Sequence, residues 1–286
     1  MKKIFILLIV TCAFLTTGCF KFDNMEDINI ITTTYPIEYV ANYLYGDKST
    51  ITSIYPKSAN VDTYTFTDKQ IKDFSKNDLF IYNGASKEKE YAKTMIDNNR
   101  DLKIIDASYG IDNTVISDAY LNPANMLMIA QNIKNELENY ITSNYIISDI
   151  EKNYDLLKYD MTELETEFKT TADNSSDKQI IVYDNSLNFL SKYGFTVINL
   201  TSDNENVEKN ITLARSLLTS NKLDYIFVME NTEDNDLIKS LINDSGAAKI
   251  TFRTLETITE KDVNNKDNYI TLMHNNIDLI KQETYN

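Results

Sequence analysis

Short apolar runs alternate along the chain with segments of helical periodicity. The runs that are predicted to form buried strands are residues 28–31, 79–82 and 102–105 and, after a gap, residues 180–183, 197–200, 225–228 and 249–252. Strands separated by helices are typical of βαβ units and parallel sheets. Because the strands fall into two blocks, the pattern predicts an α/β fold with two lobes, each built on a mainly parallel sheet.

Between the two blocks lies a long stretch with a single apolar stripe. Neither glycine nor proline occurs from Ala124 to beyond Ala172. Spacings of four and three residues place six side chains on one helix face: Ile150, Tyr154, Leu157, Met161, Leu164 and Phe168. We expect a helix over residues 144–172 that connects lobes at residues 28–143 and 173–286; a coiled-coil partner helix is the alternative. A continuous connecting helix is stiff, so no large hinge motion is expected.

The first residues have the pattern of a bacterial export signal. Two lysines precede an apolar run over residues 4–15 that is too short to span a bilayer comfortably, so residues 1–18 are predicted to be a cleaved signal peptide. A small residue before Cys19 matches a bacterial lipobox, and we expect a diacylglyceryl anchor on Cys19, followed by a tether that ends at residue 27. An incidental cysteine after an ordinary signal is the alternative. The protein is thus predicted to be exported and held by lipid at the outer face of the cell membrane.

Composition narrows the possible functions. The chain has two cysteines, of which Cys12 lies in the signal and Cys19 takes the lipid, so the mature protein is predicted to have no disulfide and no thiolate ligand. A formal net charge of −15 makes nucleic acid an unfavourable partner. Solubility alone accounts for this charge, and a preference for cations is compatible with it.

Enzyme signatures are missing from the sequence. With one histidine, His274, a Ser/His/Asp or Cys/His arrangement cannot be built in the conventional way, and the six glycines form no phosphate-binding loop. We expect no enzymatic activity and no catalytic cofactor. His274 lies in an amphipathic helical segment, residues 269–280, and is expected to face solvent in a structural role. The apolar face of that segment is predicted to contain Leu272, Met273, Asn276 and Ile280.

Several stretches together resemble one known family. They are TYP (34–36), SIYP (53–56), DTY (62–64), NDLFIYNG (77–84), IDASYGI (105–111), DAYLNP (118–123), FLSKYG (189–194) and the segment 268–280. All three prolines fall where the family has prolines. By order and spacing the chain resembles the zinc and manganese solute-binding lipoproteins, the ZnuA/PsaA-like family, over essentially its whole mature length. The resemblance implies two α/β lobes joined by a long helix, with the ligand cleft between the lobes.

The resemblance also implies positions for four metal ligands. The family's first histidine falls on Asp62, its second on Asp118, its third ligand on Asp184 (or on Tyr183 if the register slips by one), and its acidic fourth ligand on Arg253. A guanidinium stays protonated and cannot bind a metal. The cleft would thus offer carboxylate oxygens, which suit Mn²⁺, Ca²⁺ or Mg²⁺ better than Zn²⁺. Arg253 is an alternative neutralising partner for the three aspartates.

The resemblance implies a binding function. We expect a lipid-anchored, monomeric solute-binding subunit that hands a divalent cation, of the zinc or manganese class, to an ABC permease in the membrane. A relative that has lost metal and holds another small solute, with charges that match the cleft residues, is one alternative. A surface adhesion or interaction lipoprotein is the other.

Overall fold

The computed structural model describes residues 25–111, 120–233 and 235–285. The predicted signal peptide, the anchor residue Cys19 and the candidate ligand Asp118 lie outside the described residues. Within the described residues, no helix is both long enough and apolar enough to cross a membrane.

In the part of the chain that the structure describes, eight strands form two separate four-stranded sheets. The strands are β1 (Asn29–Thr32), β2 (Thr50–Ser53), β3 (Leu79–Tyr82), β4 (Lys103–Asp106), β5 (Gln179–Val182), β6 (Thr196–Asn199), β7 (Tyr225–Met229) and β8 (Ala248–Phe252). The sheet orders are β2-β1-β3-β4 and β6-β5-β7-β8, and every neighbouring pair is parallel. The predicted two-lobed α/β fold with parallel sheets is therefore confirmed.

Nine helices connect and cover the strands of the described part of the chain. They are α1 (Tyr35–Tyr45), α2 (Asp68–Phe74), α3 (Glu88–Asn98), α4 (Pro123–Tyr140), α5 (Asn144–Asn174), α6 (Val207–Thr219), α7 (Asp236–Ser245), α8 (Glu260–Asn265) and α9 (Tyr269–Thr284). Two 3₁₀ segments, Gly46–Lys48 and Asn185–Tyr193, complete the set.

Helix α5 is the predicted connector between the lobes. Five members of its apolar stripe are buried, and Tyr154 is half-buried. The helix packs against α1 and α4 on the side of the first sheet and against α9 on the side of the second. As a result, one continuous apolar core contains Ile30, Leu157 and Ile180, which come from the first sheet, the connector and the second sheet. A helix that shares its core with both lobes confirms the connecting helix that the sequence predicts, and its stiffness stays a prediction.

The segment after β8 joins the two lobes a second time. The Tyr35 N–H donates to the carbonyl of Glu256 (2.9 Å), and the Ser58 N–H donates to the carbonyl of Ile258 (3.1 Å). The Thr257 hydroxyl donates to the carbonyl of Ala59 (3.1 Å). Because most of these bonds use backbone atoms, they fix the distance between the lobes close to the mouth of the cleft.

Candidate functional site

A cleft of about 480 Å³ lies between the lobes, next to the carboxyl ends of strands from both sheets. Its N-terminal wall consists of Thr34, Val61, Asp62, Asn83, Ser86, Lys87, Glu88, Tyr120 and Leu121, and its C-terminal wall of Asp184, Ser186, Met229, Asn231, Thr232, Thr254 and Glu256. Thr34 follows β1 and Asn83 follows β3, and β1 and β3 are the neighbours at which the strand order reverses. Open α/β sheets bind ligands at such switch points. The second sheet presents the same pair, because Asp184 follows β5 and Asn231 follows β7.

Lys87 holds the loop that presents Asp62. Its ammonium donates to the backbone carbonyls of Val61, of Asp62 (2.9 Å) and of Tyr64 (3.0 Å). An ammonium has three N–H donors, so all of them are occupied. Asp62 itself is exposed at the cleft. The single lysine among the described lining residues therefore positions a carboxylate without neutralising it directly.

The turn after β3 depends on a close approach at Gly84. The Asp106 Oδ1 atom accepts from the N–H of Gly84 (3.0 Å), the N–H of Ser108 (3.0 Å) and the hydroxyl of Ser108 (2.9 Å). A Cβ at residue 84 would lie 2.0 Å from Oδ2 of Asp106. Glycine at this position lets the loop with Lys87 and Glu88 leave the sheet directly above β4.

Glu88 is a buried carboxyl group in the N-terminal wall. It is 1% exposed, and its Oε1 atom accepts from the hydroxyl of Tyr55 (2.9 Å). Burial raises the pKa of Glu88, against the opposing effect of its hydrogen bonds. Nearby, the Asn83 amide donates to the hydroxyl of Tyr120 (3.0 Å). The buried part of the N-terminal wall is thus polar but closely packed.

Asp184 begins the 3₁₀ segment after β5 and lines the C-terminal wall. Its Oδ1 atom accepts from the N–H of Ser186 (2.8 Å) and from the Ser186 hydroxyl. The ring of Tyr183 packs instead against the outer apolar cluster of the second lobe. Of the two registers that the sequence left open, the structure places Asp184 in the cleft wall.

Arg253 leaves the cleft and pairs with other carboxylates. Its two terminal nitrogens donate to the two oxygens of Asp262 (3.2 and 3.0 Å), and its Nε lies 2.8 Å from Oε2 of Glu230. Its backbone is fixed by a reciprocal pair of 3.1 Å hydrogen bonds with the buried amide of Asn276. Burial opposes ionisation of Asp262, but the bonds from Arg253 and Thr259 outweigh it and lower the pKa of Asp262. The expected pairing of Arg253 with Asp62 or Asp184 is therefore not what the structure has.

Glu256 takes the place in the wall that Arg253 was expected to have. Burial, followed by the charges of Asp62, Glu88 and Glu230, raises its pKa to about 7. The turn that precedes it is strained, because Leu255 is fully buried with φ 64. Glu256 is the only acidic residue between positions 253 and 259. A search of that whole segment for an acidic residue would have found it.

The described residues contain no preformed metal cage. Among residues 25–111, 120–233 and 235–285, no three histidine, cysteine, aspartate or glutamate side chains are arranged to hold a metal ion. His274 lies on α9 and contacts Glu167 through Nδ1. The donors in the walls are carboxylate, amide and hydroxyl oxygens, which is the chemistry of Mn²⁺, Mg²⁺ and Ca²⁺ sites rather than of Zn²⁺ sites.

Comparison with known proteins identifies the family of the chain. A family model described as "ZnuA: Zinc-uptake complex component A periplasmic" matches residues 30–283. The chain belongs to this family. It is 21% identical to the zinc-binding lipoprotein AdcA of Streptococcus pneumoniae over 99% of this chain. It is 23% identical to the manganese-binding lipoprotein MntA of Halalkalibacterium halodurans over 97% of each chain. The chain spans 61% of the length of AdcA.

Solved structures of similar proteins have the same fold. The Zn(II)-bound ZnuA-like domain of Streptococcus pneumoniae AdcA matches with a TM-score of 0.72 at 20% identity, over 91% of this chain and 100% of that one. The laminin-binding protein Lbp of Streptococcus pyogenes matches with a TM-score of 0.71 at 16% identity, over 91% and 99%. The resemblance that the sequence motifs indicate is confirmed at the level of family and fold.

Proposed function

We propose that this ZnuA-family protein is the lipid-anchored solute-binding subunit of an ABC uptake transporter, and that its cleft receives a divalent cation. Family membership supports the transport role. The similarity to relatives named as zinc-binding and manganese-binding lipoproteins supports the class of solute. The permease partner and the anchor are part of the proposal.

The charge of the cleft is the observation on which the choice of a cation rests. Four carboxyl groups of the described residues line it, namely those of Asp62, Glu88, Asp184 and Glu256. The ammonium of Lys87 is occupied by three backbone carbonyls, and the guanidinium of Arg253 by Glu230 and Asp262. Carboxylates that gather without a counterion repel one another unless a cation or protons join them. Among the described lining residues, an anionic solute would find no positive group that is free to bind it.

The proposed ligands are carboxylates from both lobes. Asp62 comes from the N-terminal wall and Asp184 and Glu256 from the C-terminal wall, with Asp118 as a further proposed ligand beyond the described residues. The ion would draw these side chains together and would take the place of the proton on Glu256. Every such ligand atom is an oxygen, whereas Zn²⁺ favours tetrahedral sites with nitrogen ligands. We therefore expect the cleft to bind Mn²⁺ more tightly than Zn²⁺.

Binding of metal to the purified mature protein tests this function. Competition with a chelating dye should show Mn²⁺ binding by the wild type, and Asp184→Asn should weaken it by about tenfold or more, the loss expected for one charged ligand. Asp97→Asn, an exposed position on α3 outside the cleft lining, is the matched control. A wild-type protein that binds neither Mn²⁺ nor Zn²⁺, or an affinity that Asp184→Asn leaves unchanged, would contradict the proposal.

A second candidate is an organic cation. The cleft volume of about 480 Å³ lies in the range of small-molecule pockets and exceeds the space that a bare ion needs. A solute with both charges is no longer favoured, because Arg253 is not among the cleft-lining residues and its guanidinium pairs with Glu230 and Asp262. Thermal-shift screening with amines and with metals separates the two candidates, because only one class should raise the melting temperature.

Adhesion remains the third hypothesis, and one structural relative is named as a laminin-binding protein. A pull-down of host-surface components by the purified protein tests it, with capture expected to be lost when exposed tyrosines such as Tyr109 and Tyr159 are replaced.

The anchor has its own test. Cys19→Ala should abolish incorporation of a radioactive fatty acid in growing cells, because the thiol is the proposed site of acylation. Equal labelling of wild type and variant would remove the lipid anchor from the proposal.

A further inference from the structure

Glu88 has a carboxyl oxygen that the fold leaves without a partner. Its Oε1 atom accepts from the Tyr55 hydroxyl, but its Oε2 atom is buried and has no hydrogen bond. Buried polar atoms almost always have a partner, so such an oxygen calls for an explanation. Glu88 also lines the cleft, so the partner can come from the solute.

Among the described residues, no cationic side chain is hydrogen-bonded to Glu88, although the charge of the adjacent Lys87 lowers its pKa. The adjacent Lys87 donates all its hydrogen bonds to the backbone carbonyls of the loop that contains Asp62. The Asn83 amide is directed to the hydroxyl of Tyr120 instead. The pKa of Glu88 is raised by burial, which agrees with a group that is held in place before its partner arrives.

Helix geometry accounts for the charge of Glu88 but not for its burial. Glu88 and Glu90 both lie in the first turn of α3, where acidic residues interact favourably with the helix dipole. Glu90 does this from an exposed position, whereas Glu88 is 1% exposed at the cleft. The dipole therefore requires neither the buried position nor the unpartnered oxygen.

We propose that Glu88 is a specificity-determining acceptor in the N-terminal wall, and that its Oε2 atom binds a polar hydrogen of the cationic solute. Such a hydrogen belongs to a water molecule on a hydrated divalent ion or to an ammonium group. The inference rests on the proposed function, since it assumes a cation in the cleft. The cleft volume leaves room for a partial hydration shell, and Mn²⁺ and Mg²⁺ commonly keep some of their water in protein sites.

Three probes distinguish the sources of that hydrogen. Mn²⁺ brings metal-bound water, hexaamminecobalt(III) brings fixed N–H groups around a cation, and 1,4-diaminobutane brings organic ammonium. Each is titrated calorimetrically into the mature wild type, into Glu88→Gln and into Glu90→Gln. The last variant is the matched control, because it removes the same charge from the same helix turn outside the cleft.

The subsite predicts a selective loss of affinity. For the probe that the wild type binds, Glu88→Gln should lower the affinity about tenfold, which is the loss expected for one hydrogen bond to a charged group. Glu90→Gln should change the affinity by less than about twofold, since an exposed charge outside the cleft is screened. The melting temperature of Glu88→Gln checks that the variant is folded. If it is not, Glu88→Asp, which keeps the charge but shortens its reach, should show the same loss of affinity.

The two levels of the proposal fail in different ways. If the wild type binds a probe, Asp184→Asn weakens it, and Glu88→Gln binds as the wild type does, then only the Glu88 subsite is overturned. If the wild type binds neither Zn²⁺ nor any of the three probes, the cationic solute is overturned and the subsite with it.

Discussion

The two walls of the cleft keep their positive groups away from the solute by different means. In the N-terminal wall, Lys87 is fixed by three neutral carbonyls, and its charge acts on Glu88 and Glu256 only at a distance, by lowering their pKa values. In the C-terminal wall, Arg253 is fixed by two carboxylates, Glu230 and Asp262, behind the lining. Arg253 offsets one of these two negative charges, and the charge of Glu230 still raises the pKa of Glu256 in the cleft wall.

Because of this difference, substitutions in the two walls should act through different physical causes. The N-terminal wall depends on backbone geometry, because a lysine can bind three carbonyls only if the loop has one shape. The C-terminal wall depends on electrostatic balance, because removing the guanidinium would leave two carboxylates next to Glu256. Substitutions in the first wall should thus act through packing, and those in the second through charge and pH.

Gly84→Ala should have the largest effect and tests the packing side of the comparison. The new methyl group would meet the Asp106 carboxylate, which is held by three hydrogen bonds and cannot move away without losing them. We expect the free energy of unfolding to fall by about 2–4 kcal/mol, measured by urea denaturation. In an Asp106→Ala background the same substitution should cost much less. Equal costs in both backgrounds would show that the clash is not the cause.

Arg253→Met should have the next largest effect and tests the charge side. The Asp262 side chain is 8% exposed, and it would be left next to Glu230 without a cation. Breaking a buried pair costs about 3–5 kcal/mol, and partial exposure of Glu230 and Arg253 reduces this to about 2–3 kcal/mol. Thermal unfolding at low and high salt measures it. High salt should reduce the difference from wild type, and Asp262→Asn in the same background should recover part of the loss. A loss that neither salt nor Asp262→Asn alters would point to packing instead.

The pH dependence of stability should show the smallest effect and isolates Glu256. Its pKa is raised from 4.5 to about 7 in the folded protein, so the folded state binds more protons between these values. In the metal-free protein, the contribution of Glu256 to stability is therefore greatest below about pH 4.5 and is lost as the pH rises through about 7. Glu88 shifts in the same direction, so the quantity to measure is the difference between wild type and Glu256→Gln. A difference that is flat from pH 5 to 8 would mean that Glu256 titrates normally.

Cation affinity should change over the same pH range in the opposite sense. Deprotonated Glu256 is the proposed ligand, so Mn²⁺ affinity should rise from pH 6 to pH 8 in the wild type. The variant Glu256→Gln should lose most of this rise.

Strand β2 shows where the hydrophobic pattern is too weak to predict an element. Its residues are Thr50, Ile51, Thr52 and Ser53, and of these Ile51 alone is buried. An edge strand needs only one apolar face and one hydrogen-bonded neighbour, so its sequence has only a weak hydrophobic pattern. The central strands β1 and β3 are buried along nearly their whole length and are apparent from the sequence.

The hydrophobic pattern and the order of the motifs are enough to predict the two parallel sheets, the connecting helix and the family. Each depends on a local repeat or on motif order, and the i, i+4 and i, i+3 stripe of α5 is buried as the spacing requires. Only contacts between distant elements explain why Glu256, and not Arg253, lies in the cleft wall. Both residues follow β8 within four positions, and their directions depend on the left-handed turn at Leu255, on the Asn276 side chain and on Asp262 from α8. A linear motif does not encode a side-chain direction that contacts from distant elements fix.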